Sequence, residues 1–163
     1  MKTQRALALC CLGLSIPVLL TAYPGKEKKK PKHDVCAEGN GQGASLITCG
    51  SATTPCEVDI KRISDDSASA TPRVADAKDN MPFRVKAGTT IVFKSTSKNT
   101  GFVLDFGSSS PFDAGTAIMG GADRPISVVA KKAGCYTYSV GACTAGTIYG
   151  MCGEDAAQLV VSQ

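Results

Sequence analysis

Phe83-Arg84-Val85-Lys86-Ala87-Gly88-Thr89-Thr90-Ile91-Val92-Phe93-Lys94-Ser95, then Gly101-Phe102-Val103-Leu104-Asp105-Phe106 after a polar turn, holds the clearest structural signal in this 163-residue chain. Phe83 and Val85 alternate with Arg84 and Lys86, and Ala87-Gly88 then turns the chain. Residues 89–95 are rich in β-branched side chains and place Ile91 and Phe93 on one face. Residues 101–106 place Phe102, Leu104 and Phe106 on one face and Val103 and Asp105 on the other. Successive side chains of a strand point to opposite faces, so apolar residues at every second position mark half-buried strands.

The same period runs outward in both directions. Residues 57–61 alternate as Glu-Val-Asp-Ile-Lys, and the polar run at residues 65–69 breaks that strand. Residues 107–124 hold four glycines and three serines and read as a loop. Ile126, Val128 and Ala130 alternate again, residues 131–134 turn, and Tyr136, Tyr138 and Val140 form the next strand. Leu159, Val160 and Val161 close the series. Helical periodicity is missing: the alanines of residues 68–78 are interrupted by Pro72. Short strands separated by turn residues predict an all-β fold, an antiparallel Greek-key β-sandwich over residues 56–163.

The start of the chain has a different character. Lys2 and Arg5 precede an uncharged apolar stretch, residues 6–20, and Ala22 offers a small residue for cleavage before Tyr23. This predicts a signal peptide over residues 1–22. The stretch is shorter than the ~20 residues a membrane span needs, and Pro17 interrupts it. Cys10 comes too early for a lipoprotein signal, with most of the apolar stretch behind it. No second apolar segment follows, so no transmembrane span is expected after cleavage. Residues 23–35 read as a flexible basic linker, with Lys26-Glu27-Lys28-Lys29-Lys30-Pro31-Lys32 as its centre. Residues 36–55 read as a Gly-rich, disulfide-pinned segment. Much of the net charge of +4 sits in the signal and the linker, and no basic face is interleaved with aromatics, so nucleic acid is not an expected partner.

Six cysteines remain after the signal: Cys36, Cys49, Cys56, Cys135, Cys143 and Cys152. An even number in an exported chain predicts disulfides and a periplasmic or secreted location. Six cysteines allow fifteen pairings. Local spacing favours Cys143 with Cys152 and Cys36 with Cys49, and Cys56 with Cys135 would then tie the first strand to a late one.

Two phrases carry a family resemblance. Residues 83–93 resemble the strand, glycine turn and second strand that precede the first histidine ligand of cupredoxins. Ala133-Gly134-Cys135-Tyr136-Thr137-Tyr138 resembles the strand that leads to their copper-loop cysteine. The resemblance covers residues 56–163 and implies a cupredoxin-like fold. The copper ligands do not follow. A type 1 site takes two imidazoles, one thiolate and a weak axial ligand. The sole histidine is His33, in the linker, while residues 99–103 and the stretch from Cys143 to Met151 have none. The chain is more similar to exported bacterial cupredoxin-like proteins without copper, through residues 102–106, Ser110-Pro111-Phe112 and residues 155–161. That resemblance implies a fold and a compartment and brings no activity with it.

Other chemistry finds little support. A Ser-His or Cys-His site needs an oriented base, and His33 lies in the linker. His33 with Asp34 and Cys36 would form a metal site outside the sandwich. The acids Asp65, Asp66, Asp76, Asp79, Glu154 and Asp155 lie in or beside predicted turns, where carboxylates commonly serve the turn itself. Gly120-Gly121 lacks the lysine and helix of a phosphate loop. Tyr136 and Tyr138 share a face and are expected to pack in the core. No catalytic residue, metal ligand or cofactor is therefore assigned. The expected function is a non-enzymatic binding or structural module, with a protein or an envelope component as partner. The alternatives are a copper electron carrier using Cys143 and Met151, and a calcium-dependent binder or enzyme built on loop carboxylates such as Asp65, Asp66, Asp76 and Asp79.

Overall fold

Ten strands and no helix make up the described part of the chain. The structure is a computed structural model and describes residues 31, 34–37, 46–145 and 151–163, without the side chain of Met151. The expected signal peptide, residues 1–22, lies outside the described residues, as do His33, most of the basic linker and residues 38–45. No helix among the described residues is long and apolar enough to cross a membrane.

Six strands form one layer, in the order β1 (Ile47–Thr48), β4 (Phe83–Lys86), β10 (Met151–Ser162), β9 (Gly134–Thr144), β6 (Thr100–Asp105) and β7 (Ala117–Gly121). Four form the other: β3 (Ala68–Pro72), β2 (Cys56–Arg62), β5 (Thr90–Ser95) and β8 (Ile126–Val129). Both layers are mixed. β4 runs parallel to β1 and β10, and β2 runs parallel to β5. The expectation of a wholly antiparallel fold is therefore corrected. Alternating burial is the same for either strand direction, and the long connection from β2 to β5 permits a parallel neighbour.

Alternation places the core between the layers. Val58, Ile60, Ile91 and Phe93 of the smaller layer and Phe83, Val85, Leu104 and Val140 of the larger are wholly buried and belong to one cluster. Phe112, from the connection between β6 and β7, enters that cluster and meets Phe93 and Phe106 edge-on, with centroids 6.2 and 5.3 Å apart. Burying such rings is worth ~1.5–3 kcal/mol each. The outer face of the smaller layer is polar. Arg73 bridges Glu57 at 3.0 Å and Asp59 at 2.9 Å, and Lys94 reaches Glu57 at 2.7 Å. Lys94, and then Arg73, hold the Glu57 carboxyl below its usual range.

Several expectations about boundaries change. The polar break at residues 65–69 is short, because β3 begins at Ala68. The expected loop at 107–124 contains β7, and the last strand is twelve residues long rather than three. Residues 34–37 and 46–55 are part of the packed domain: Val35 is 7 % exposed and Cys49 2 %.

The edge of β3 is closed by one side chain. Asn80, with φ of 55°, accepts the Ala70 N–H at 2.8 Å through Oδ1 and donates from Nδ2 to the Ala68 carbonyl at 2.9 Å. It mimics a paired strand where an open edge would invite another chain. Asn80→Ala is expected to lower the unfolding free energy by ~1–2 kcal/mol and to raise aggregation. Denaturant titration and light scattering read the two effects, and no change in either would refute the role.

Candidate functional site

Cys143, the cysteine named in the copper alternative, lies where β6, β9 and β10 run side by side. Tyr138, Val140 and Ala142 of β9 face the core, so Thr137, Ser139, Gly141 and Cys143 face outward. Cys143 is the register partner of Cys152 on β10 and of Gly101 on β6. It is bonded to Cys152, with 4.1 Å between Cα atoms. This pair agrees with the expected one. A bridged sulfur is not the thiolate a metal takes. Residues 146–150, His33 and the Met151 side chain lie outside the described residues. Among the described residues no group of three His, Cys, Asp or Glu is placed to hold a metal ion. With one imidazole in the whole chain, the donor set does not fit a type 1 copper site.

The other two pairings differ from expectation. Cys36 bonds Cys135 and Cys49 bonds Cys56, with Cα atoms 5.3 and 5.1 Å apart. Side-chain parity explains both. Cys135 alternates with inward-facing residues, so its sulfur projects from the outer face of the six-stranded layer. Cys56 points into the core from the other layer and is wholly buried. A sheet therefore lies between Cys56 and Cys135. Cys49 follows β1, donates its N–H to the Arg84 carbonyl at 2.9 Å, and so ends inside the domain within reach of Cys56. Their bridge ties one layer to the other.

The candidate acids are dispersed and locally engaged. Asp65 pairs with Arg62, and Asp66 accepts from Ser64 Oγ at 2.7 Å in the turn between β2 and β3. Asp79 accepts from Thr71 Oγ1 at 3.0 Å, and Asp76 adopts a left-handed φ of 62° in the loop before β4. Asp155 accepts from Ser67 Oγ at 3.2 Å. Tyr138 lies in the core, stacked on Phe106 at 4.6 Å, and burial pushes its hydroxyl well above the usual tyrosine range. Tyr136 is half-buried, donates to the Lys132 carbonyl at 3.0 Å, and is also raised by burial.

A surface feature that the sequence did not announce lies on the outer face of the six-stranded layer. Met119, Val103, Gly141 and Glu154 are partners across four strands, and Ala117, Asp105, Ser139 and Ala156 form the next row. Six of these residues, Val103, Asp105, Ala117, Ser139, Gly141 and Glu154, line an open trough of about 460 Å³. Gly141 forms its floor, where an added Cβ would lie 2.9 Å from Val103 Cγ1. Met119 is 72 % exposed at its rim. The outward parity of Val103 and Asp105 was visible in the sequence. The partners that complete the trough depend on strand register. A second cavity of about 450 Å³, lined by Ser108, Ser109, Ser110, Lys132 and Tyr136 among others, lies beside the β6–β7 connection.

No protein-family model matches the chain, and no curated protein does. A solved structure of an inclusion body protein, PixA, from Burkholderia cenocepacia aligns over 74 % of this chain and 99 % of its own length. The identity is 11 % and the TM-score 0.38.

Proposed function

We propose that the protein is an exported, non-enzymatic binding or structural module, a Greek-key β-sandwich of cupredoxin-like kind that works without bound copper. The observation that carries this reading is the bridge between Cys143 and Cys152 at the position where the resemblance puts a ligand cysteine. Export is supported by three bridges, which form and persist in oxidising compartments. Its partner is a protein or an envelope component.

The test uses protein recovered from an oxidising compartment without reductant. The expected mass is that of residues 23–163 less six hydrogens, with no thiol titratable after denaturation. Adding Cu(II) is expected to give no intense visible charge-transfer band. A free thiol at Cys143 together with such a band would overturn the reading in favour of a copper electron carrier using Cys143 and Met151. Calcium-dependent turnover would instead favour the loop carboxylates.

A further inference from the structure

The outer face of the six-stranded layer is covered at one end. Gln158 has no exposed surface there, although alternation points it away from the core. Its Nε2 donates to Asp34 Oδ1 at 2.6 Å and to Thr137 Oγ1 at 3.0 Å, and its Oε1 accepts the Val35 N–H at 3.0 Å. Cys36 is bonded one row further along, to Cys135. The chain therefore joins the domain on this face, over β9 and β10. Burial continues along β10 towards the trough. Ala156 also points outward, yet it is 5 % exposed. Pro31, three residues before Asp34, is half-buried. Past Ala156 the face opens into the trough. Glu154 is exposed on one wall, and Asp105, which also accepts the Gly107 N–H at 2.8 Å, stands on the other.

We propose that this trough is the docking site for the chain's own basic segment, residues 26–32. Reach, charge and shape agree on that occupant. Four strand residues separate Gln158 from Glu154, a distance of ~13 Å, and the four residues from Asp34 back to Lys30 span as much when extended. The segment brings five lysines to a wall that carries carboxylates on both sides. Lysine stems cover apolar surface while their ammonium groups reach a charged rim, which suits Val103 and Ala117 below Glu154 and Asp105. Each exposed ion pair is worth only ~0.2–1 kcal/mol. The anchor at Asp34 and Cys36 makes the encounter intramolecular, at an effective concentration of order millimolar. The inference does not depend on whether the protein binds copper.

Zero-length carbodiimide coupling of the intact mature protein tests it, because an amide forms only between an ammonium-bearing side chain and a carboxylate in contact. The expected product, at monomer mass, joins a lysine of residues 26–32 to Glu154 or Asp105. Coupling is expected in about 0.01 M salt, where the screening length is ~30 Å, and at least ~5-fold less of it in about 1 M salt, where that length is ~3 Å. Lys28→Glu, Lys29→Glu and Lys30→Glu together are expected to abolish the product at Glu154, and adding Glu154→Lys to restore it with the polarity reversed. Failure to couple to either carboxylate at low salt would overturn the proposal. So would coupling confined to dimers, which would make a second copy the occupant, or a yield unmoved by the charge reversal.

Discussion

Replacing Cys36 and Cys135 together by serine is expected to lower the unfolding free energy by ~4–5 kcal/mol. The bridge joins residues 99 apart, and in the chain-entropy account a crosslink acts mainly by restricting the unfolded chain, more so for longer loops. The Cys49–Cys56 bridge spans 7 residues, and its removal is expected to cost ~2.5 kcal/mol on the same account. Whole domains are stable by only ~5–15 kcal/mol, so the first substitution removes a large part of the total. Denaturant unfolding without reductant compares the variants. The unbridged chain exposes more surface, so its dependence on denaturant should also steepen. A Cys36/Cys135 variant that loses less than ~2 kcal/mol would contradict the argument.

Gly153→Ala is expected to cost ~3 kcal/mol or more, at the upper end of overpacking effects. A Cβ at Gly153 would overlap the Ser67 carbonyl oxygen and lie 2.8 Å from that of Ser64. Both obstacles are backbone in the turn between β2 and β3. The Ser67 oxygen already accepts the N–H groups of Ile63 and Ser64, at 2.9 and 3.1 Å, so the turn cannot yield without losing them. Displacing it also separates Ser67 Oγ from Asp155. Gly101→Ala is the control. It is exposed, its nearest obstacle is 3.7 Å away, and its substitution should stay within ~0.5 kcal/mol of the parent. Equal midpoints for the two variants would show that the turn is free to move.

These two glycines illustrate how far the sequence could be read. Strands β2, β5 and β6 were legible because each has one face in the core and one in water, and their large apolar residues fall at every second position. β3 was not, because Ala68, Ser69 and Ala70 are buried without one large apolar side chain among them. β7 buries Ile118 within a run of glycine and small residues that has the composition of a loop. Strand direction leaves no mark on alternation, so the parallel pairs went unseen. The bridge partners were half legible. Tyr136 and Tyr138 facing inward already required Cys135 to face outward, which excludes a bond to the buried Cys56. That Gln158 draws Asp34 and Val35 onto the outer face, and so brings Cys36 to Cys135, depends on contacts across 123 residues or more and has no local signature.

The order of the bridges bears on how the protein is made. Counted from the N-terminal side, beginning at Cys36, the first cysteine joins the fourth, the second joins the third, and the fifth joins the sixth. Synthesis begins at that end, so Cys36, Cys49 and Cys56 are all available to an oxidant before Cys135 exists. Oxidation in order of arrival would link Cys36 to a neighbour and leave Cys135 without its mate. Reaching the native pairs thus calls for Cys49 to meet Cys56 before Cys36 reacts, or for thiol-disulfide exchange that reopens an early mistake.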